Sequence, residues 1–155
     1  MTTIDEIIMR APLDEIFRAA AEVERWPEIL PHYRWVKVLR EGEEGSLVEM
    51  AARRGPIPVK WTSLKQDDGE ARTVRYRHVG GPTRGMRVLW MIEPSPDGAL
   101  VSIVHDLTLE IPVLRSRPGQ FIIGYCFVKP IAGRTLRHLK AHVEDHSCVE
   151  PSSPD

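Results

Sequence analysis

The sequence has little cysteine, no excess of charge of either sign and no long apolar run. Its two cysteines, Cys126 and Cys148, form no CxxC pattern, which argues against a disulfide framework and against a cysteine-rich metal or redox site. The 21 Lys and Arg side chains nearly balance the 22 Asp and Glu side chains. The basic excess that nucleic-acid binding requires is therefore missing, and we expect no nucleic-acid partner.

The N-terminus shows no targeting signal. Asp5 and Glu6 stand where a signal peptide would be basic and then apolar. The longest strongly apolar run, residues 121–128, is too short to cross a bilayer. We expect a cytoplasmic protein that does not insert into membranes.

What the sequence does contain is a regular succession of secondary-structure patterns. A short strand is predicted at residues 3–10, followed by a helix over residues 11–26 that Trp26 and Pro27 are expected to end. Six β-rich segments with short turn sequences between them then follow from Tyr33 to Pro112, which indicates an antiparallel meander. The order strand, helix, six strands predicts one α+β domain with a sheet of about seven strands.

The C-terminal part predicts a long amphipathic helix over residues 119–145, with a kink expected at Pro130. Its apolar face is formed by residues at three- and four-residue spacing: Tyr125, Val128, Ala132, Thr135, Leu136, Leu139 and Val143. Such a helix is long enough to lie across a twisted sheet and to leave an apolar cavity between the two. We predict a single domain over residues 1–146 and a flexible tail over residues 147–155.

Several segments resemble the START-like helix-grip (SRPBCC) superfamily, and within it the polyketide cyclase/dehydrase branch with its aromatase/cyclases. They are WPEILPHY at 26–33, GGPTRGMRVLW at 80–90, VSIVHDL at 101–107 and PIAGRTLRHLK at 130–140, and the resemblance covers residues 3–145. It implies a seven-stranded antiparallel sheet wrapped around the long helix, and a cavity for an acyl or aromatic intermediate. It also implies aldol cyclisation and dehydration without a cofactor.

Three positions match polar residues of the aromatase/cyclases, and we expect them to be catalytic. Tyr33 follows the WPE turn, His105 lies on the last strand, and Lys65 stands where the family has an arginine on the fourth strand. Lysine keeps the charge but lacks the planar guanidinium fork, so this chain departs from the family there.

Each of these residues also has a purely structural interpretation. His105 interrupts an apolar row, where it is either a base facing a cavity or a core histidine bonded to a backbone carbonyl. Tyr33 either donates to a substrate oxygen or packs the helix turn against the sheet. Lys65 either stabilises an enolate or is a solvated lysine near a strand end, and for this residue the sequence favours the second.

We expect five further side chains to bind substrate. Three tryptophans on different strands are candidates for stacking walls, and two hydroxyl residues of the long helix for the pocket floor: Trp35, Trp61, Trp90, Tyr125 and Thr135. Tryptophans in such positions also serve simply as core residues.

Charge is unevenly distributed along the chain. Residues 51–100 carry nine basic and five acidic side chains, with Arg72, Arg75 and Arg77 in one segment and Arg84 and Arg87 close by. This row is either a solvated sheet face or a docking surface for an acidic acyl carrier protein. We expect no metal, because no carboxylate or thiol accompanies the helical stripe of His138, His142 and His146.

Three functions are compatible with this sequence. The first is a cofactor-independent polyketide cyclase/dehydratase. The second is a non-catalytic binding or transport protein for a lipid, quinone or aromatic ligand, with the same cavity and no chemistry. The third, an interaction protein similar to the small ribosome-associated toxins of the superfamily, is disfavoured by the near-neutral net charge of -1.

Overall fold

The chain forms an antiparallel sheet with all of its helices on one side. The computed structural model describes the backbone of residues 1–149 and the side chains of residues 1–145. The strands are β1 (Thr2–Met9), β2 (Tyr33–Gly42), β3 (Gly45–Arg54), β4 (Ile57–Asp68), β5 (Thr73–Gly80), β6 (Arg87–Ser95) and β7 (Gly98–Asp106). The helices are α1 (Leu13–Ala21), α2 (Trp26–Ile29), α3 (Pro112–Arg115), α4 (Arg117–Ile122) and α5 (Lys129–Val149), with a 3₁₀ turn at Val23–Arg25 and a π-helical segment at Ile123–Val128.

The strand order is β1-β7-β6-β5-β4-β3-β2. Strands β2 to β7 are therefore a meander of hairpins, and β1 is added at the edge next to β7, where Thr3 lies opposite His105. This confirms the predicted α+β helix-grip architecture, in which a seven-stranded antiparallel sheet holds the C-terminal helix. None of the helices within the described residues is long and apolar enough to cross a membrane.

The N-terminal helical region is divided in three, where the sequence predicted one helix. Helix α1 ends at Ala21, a 3₁₀ turn follows, and Trp26 begins α2. The prediction that Trp26 and Pro27 end the helix is wrong because Pro27 stands in the first turn of α2. In the first turn a backbone N–H has no intrahelical partner, so proline loses nothing there.

The C-terminal helix changes its winding immediately before Pro130. The π-helical segment ends at Val128, and Pro130 has no N–H to donate to the carbonyl of Cys126 four residues earlier. That carbonyl instead accepts a hydrogen bond of 2.8 Å from Nε of Arg54 at the end of β3. Proline thus frees an acceptor, and a side chain of the sheet binds it and fixes the helix over the sheet.

Helix α5 continues to Val149, so the predicted domain boundary at residue 146 falls within it. Residues 150–155, the remainder of the predicted tail, lie outside the described residues, as does the side chain of His146.

The core lies between the inner face of the sheet and α5. Four apolar α5 side chains, Ala132, Leu136, Leu139 and Val143, are at most 5% exposed, as the helical spacing predicts. On β5 the buried residues Val74, Tyr76 and His78 alternate with the exposed arginines Arg75 and Arg77. Strand periodicity therefore decides which side chains face the helix.

We expect Gly98→Ala to lower the free energy of unfolding by about 1–3 kcal/mol. Gly98 begins β7 with φ 137°, and an added Cβ would lie 2.6 Å from the Met9 carbonyl oxygen. Gly42→Ala is the matched control, because no atom lies within 4 Å of its added Cβ. It should change stability by less than about 0.5 kcal/mol. Urea unfolding measures the free energy of unfolding of both variants. Equal effects of the two substitutions would contradict the role assigned to Gly98.

Candidate functional site

A cavity of about 200 Å³ lies between the inner face of the sheet and the helical layer. Its lining is mostly apolar and aromatic: Trp26, Tyr33, Met50, Val59, Trp61, Tyr76, His78, Pro82, Thr83, Met86, Val88, Trp90, Ile103, His105, Ile123, Phe127, Val128, Ile131, Ala132 and Thr135. Cavities of this kind are the usual ligand sites of small domains.

The opening of the cavity can be located from side-chain exposure. Six lining residues are partly or fully exposed: Val59, Trp61, Pro82, Thr83, Phe127 and Ile131. They come from the start of β4, the loop between β5 and β6, and the helical layer around Pro130. Trp26, Trp90 and Ile103 are at most 3% exposed and form the closed end.

His105 lines the cavity from β7. It is 8% exposed, it faces Val88 of β6 across the ladder, and its Nδ1 has no hydrogen-bond partner among the described residues. Burial, with a smaller contribution from the charge of Lys129, lowers the pKa of His105 to about 4. The ring is therefore neutral near pH 7 and has a nitrogen that can accept a proton.

Tyr33 and Thr135 lie together at the cavity wall. Burial raises the pKa of Tyr33 well above its usual value, and its hydroxyl is hydrogen-bonded to the Thr135 side chain. Oγ1 of Thr135 donates to the Ile131 carbonyl at 2.7 Å, and Nε2 of His32 lies 2.8 Å from the same Oγ1. Burial is also the largest cause that lowers the pKa of His32 to about 4. The Tyr33 hydroxyl is thus held in place and protonated.

Sequence reasoning missed Tyr76 and His78, which line the cavity from β5. Nδ1 of His78 lies 2.7 Å from Oγ1 of Thr83, and its ring stacks on Trp61 with 5.8 Å between centroids. Burial lowers the pKa of His78 to about 3, with His105 contributing. The alternation in TVRYRHV predicts that Tyr76 and His78 face inward, because they alternate with arginines that face outward.

The predicted tryptophan walls are only partly present. Trp61 and Trp90 line the cavity, and Trp26, which the sequence analysis did not select, packs on Trp90 at 5.7 Å. Trp35 is not in the lining; its Nε1 donates to Glu49 at 3.0 Å on the other face of the sheet. A register shift in β2 between Tyr33 and Trp35 changes the alternation that would have put both on one face.

Lys65 and Tyr125 do not reach the cavity either. Lys65 is buried, but its Nζ binds the Asp67 carboxylate at 2.8 Å, and it follows Trp61 by four residues, about 13 Å along β4. Tyr125 is 51% exposed and packs on Phe121, because the wider π-helical turn shifts the residues that face inward. Neither the ammonium nor this hydroxyl is available to a ligand in the cavity.

The lining contains no Asp, Glu, Lys or Arg among the described residues. Its histidines are neutral near pH 7 and its tyrosines are protonated, since burial opposes charge in both cases. The site therefore offers hydrogen-bond donors and acceptors to an uncharged ligand and no counter-ion to a charged one.

Comparisons with known proteins agree with this geometry. The profile of a family described as "Polyketide cyclase / dehydrase and lipid transport" matches residues 9–122. A protein named "Putative polyketide cyclase" from Streptomyces cyaneus is 30% identical over 113 residues, 70% of this chain and 73% of the relative.

Two solved structures have the same fold. The di-domain ARO/CYC BexL from the BE-7585A biosynthetic pathway has a TM-score of 0.76 and 27% identity over 93% of this chain, which spans only 46% of that protein. The Zhui aromatase/cyclase from Streptomyces sp. R1128 has a TM-score of 0.81 and 18% identity, with 94% of both chains covered. At that identity the second structure supports the fold alone.

The buried histidines predict a specific pH dependence of stability. Because the pKa values of His78 and His105 are lowered to about 3 and about 4, the unfolded chain binds more protons between about pH 6.5 and pH 4. Stability is therefore fully present above pH 6.5 and is lost as the pH falls towards 4. We expect His78→Gln to reduce this slope by about 1 kcal/mol per pH unit. Urea unfolding at pH 4.5, 5.5 and 7 measures the slope, and an unchanged value would contradict the assignment.

Proposed function

Because the chain belongs to the polyketide cyclase/dehydrase and lipid transport family, we propose that it is a cofactor-independent cyclase/dehydratase. Its substrate would be a poly-β-keto acyl chain or a related aromatic intermediate held in the cavity. The observation that carries the proposal is His105, a neutral imidazole in an uncharged cavity with its Nδ1 unpartnered.

Because His105 is neutral near pH 7, it can begin an aldol closure as a base, and its lowered pKa makes it a weaker base than a free imidazole. The imidazole accepts a proton from the carbon between two carbonyls, the C–H electron pair forms the enolate C=C, and the carbonyl π pair moves to oxygen. The enolate carbon then attacks a second carbonyl of the same chain, and the imidazolium returns its proton to the new alkoxide. In the dehydration that follows, His105 accepts a second proton from carbon. It then passes this proton to the departing hydroxyl, which leaves as water.

Tyr33 supports the same step as a hydrogen-bond donor. Burial raises the pKa of Tyr33 and so keeps the proton on the hydroxyl, and the Thr135 contact holds its orientation. A fixed donor stabilises an oxyanion without reorganising during the reaction. The cavity adds orientation, because a flexible chain that folds between Trp61 and Trp90 has few geometries open to it.

Replacing His105 with Ala tests the proposal. We expect cyclisation of a poly-β-keto thioester to slow by at least about 100-fold, because general-base catalysis contributes 10²–10⁴-fold. The Kd of an aromatic product should change by less than about threefold. Product analysis by mass spectrometry, against the spontaneous reaction without protein, measures the first quantity, and calorimetry the second. An unchanged product distribution in the variant would remove the catalytic role.

A non-catalytic carrier of lipid, quinone or aromatic ligands is the second candidate. The apolar lining without charged side chains favours it, since such a pocket binds neutral ligands without requiring any reaction. In that case the wild-type protein would bind the product and leave the spontaneous product distribution unaltered, so the same measurement separates the two.

An acyl carrier protein is the partner we propose for delivery of the substrate. Arg75 and Arg77 on β5 and Arg87 on β6 are exposed on the outer face of the sheet, and Arg77 lies directly opposite Arg87. We call these three residues the cationic face. Arg72 and Arg84 do not belong to it, because they pair with Asp14 at 2.9 Å and Glu110 at 2.8 Å. An acidic carrier complements this face.

Charge reversal of the cationic face tests this partner. The triple variant Arg75→Glu, Arg77→Glu, Arg87→Glu should raise KM for the carrier-bound substrate at least about tenfold, because steering by opposite charges is lost. KM for a short free thioester should not change. Arg40→Glu, a single exposed reversal on β2, is the control and should leave both values unchanged. Equal KM values for the triple variant and wild type would exclude this face.

A further inference from the structure

Tyr76 has a buried hydroxyl that nothing in the described protein binds. The residue lines the cavity and is 5% exposed, and its hydroxyl oxygen has no hydrogen-bond partner. An unpaired buried hydroxyl costs about 1–3 kcal/mol, so such groups are normally satisfied in folded proteins. Tyr76 therefore brings an unsatisfied hydroxyl to the cavity wall.

The protonation state of Tyr76 fixes what it can offer. Burial raises its pKa well above the usual value of 10, and the neighbouring Tyr33, Asp67 and Glu24 act in the same direction. The hydroxyl therefore keeps its proton at neutral pH and acts as a donor. Tyr33 differs, because the Thr135 side chain already orients its hydroxyl, whereas no side chain orients that of Tyr76.

The sheet register places Tyr76 in line with His105. Tyr76 lies opposite Val88 of β6, and Val88 lies opposite His105 of β7. The two backbones are thus two strand spacings apart, about 10 Å, with both side chains on the inner face. A partnerless hydroxyl and a partnerless imidazole nitrogen therefore stand on one row of the cavity wall, with only valine between them.

We propose that Tyr76 donates a hydrogen bond to a carbonyl oxygen of the bound ligand and so selects aryl or acyl ketones over hydrocarbons of the same shape. This inference rests on the proposed function for the cavity itself and adds a specific contact within it. In that pose the ligand carbonyl lies beside Tyr76 and the adjacent carbon extends along the row towards His105.

Two ligands that differ only at the carbonyl test the contact: 2-acetylnaphthalene and 2-ethylnaphthalene. Isothermal titration calorimetry gives their Kd values with wild-type protein, with Tyr76→Phe and with Tyr125→Phe, which removes an exposed hydroxyl as the matched control. We expect Tyr76→Phe to weaken ketone binding about three- to tenfold, the usual net worth of one hydrogen bond, and to leave hydrocarbon binding unchanged. The control should alter neither value.

The outcomes separate this contact from the function of the cavity. Equal weakening of both ligands would mean that Tyr76 only packs, and unchanged ketone binding would mean that its hydroxyl is not used; either result overturns the inference and leaves the cyclase proposal intact. Failure of wild-type protein to bind either ligand would overturn both proposals. Thermal unfolding gives an independent check, because removing a partnerless hydroxyl should leave Tm unchanged or raise it, whereas a hydroxyl that is bound in the free protein would lower Tm when lost.

Discussion

The exclusion of charge from the space under α5 is the constraint on which the rest of the site depends. The sheet packs against the helix through a mostly apolar inner face, and a ligand cavity within that layer has the same low dielectric. Burial then lowers the pKa of His78 and His105 and raises that of Tyr33. Folding and chemistry are thus joined, because the packing that stabilises the domain also determines which proton each cavity side chain carries.

Much of the fold could be predicted from the sequence because its patterns are local. Alternation on the strands and helical spacing on α5 depend on neighbouring residues, and the turns between strands are short. The positions of Tyr33, His105, Trp61, Trp90 and Thr135 around the cavity followed from these patterns together with the family resemblance. Tyr76 and His78 alternate with exposed arginines on β5, and this alternation alone predicts that both face inward.

The site predictions that the structure does not support lie where the backbone departs from the regular period of a strand or helix. A register shift in β2 places Trp35 on the outer face beside Glu49, and the π-helical turn before Pro130 leaves Tyr125 exposed. The prediction that Lys65 lines the cavity is wrong for another reason. Alternation assigns a residue to a face of the sheet but gives no position along the strand relative to the helix that covers it. Its ammonium binds the exposed Asp67 carboxylate, and the residue is not part of the cavity lining.

The absence of Lys65 from the lining changes what kind of catalysis the cavity can support. A cation beside a carbonyl would stabilise an enolate through its charge, and would also hold an anionic ligand in the resting state. Within the described residues the lining offers instead neutral hydroxyls and neutral imidazoles, which on the proposed function would act mainly on charge that develops during the reaction. The charged side chains of the cationic face lie on the other side of the sheet, where arginines meet solvent without a desolvation cost. Selectivity inside the cavity must then come from shape and from the direction of a few hydrogen bonds.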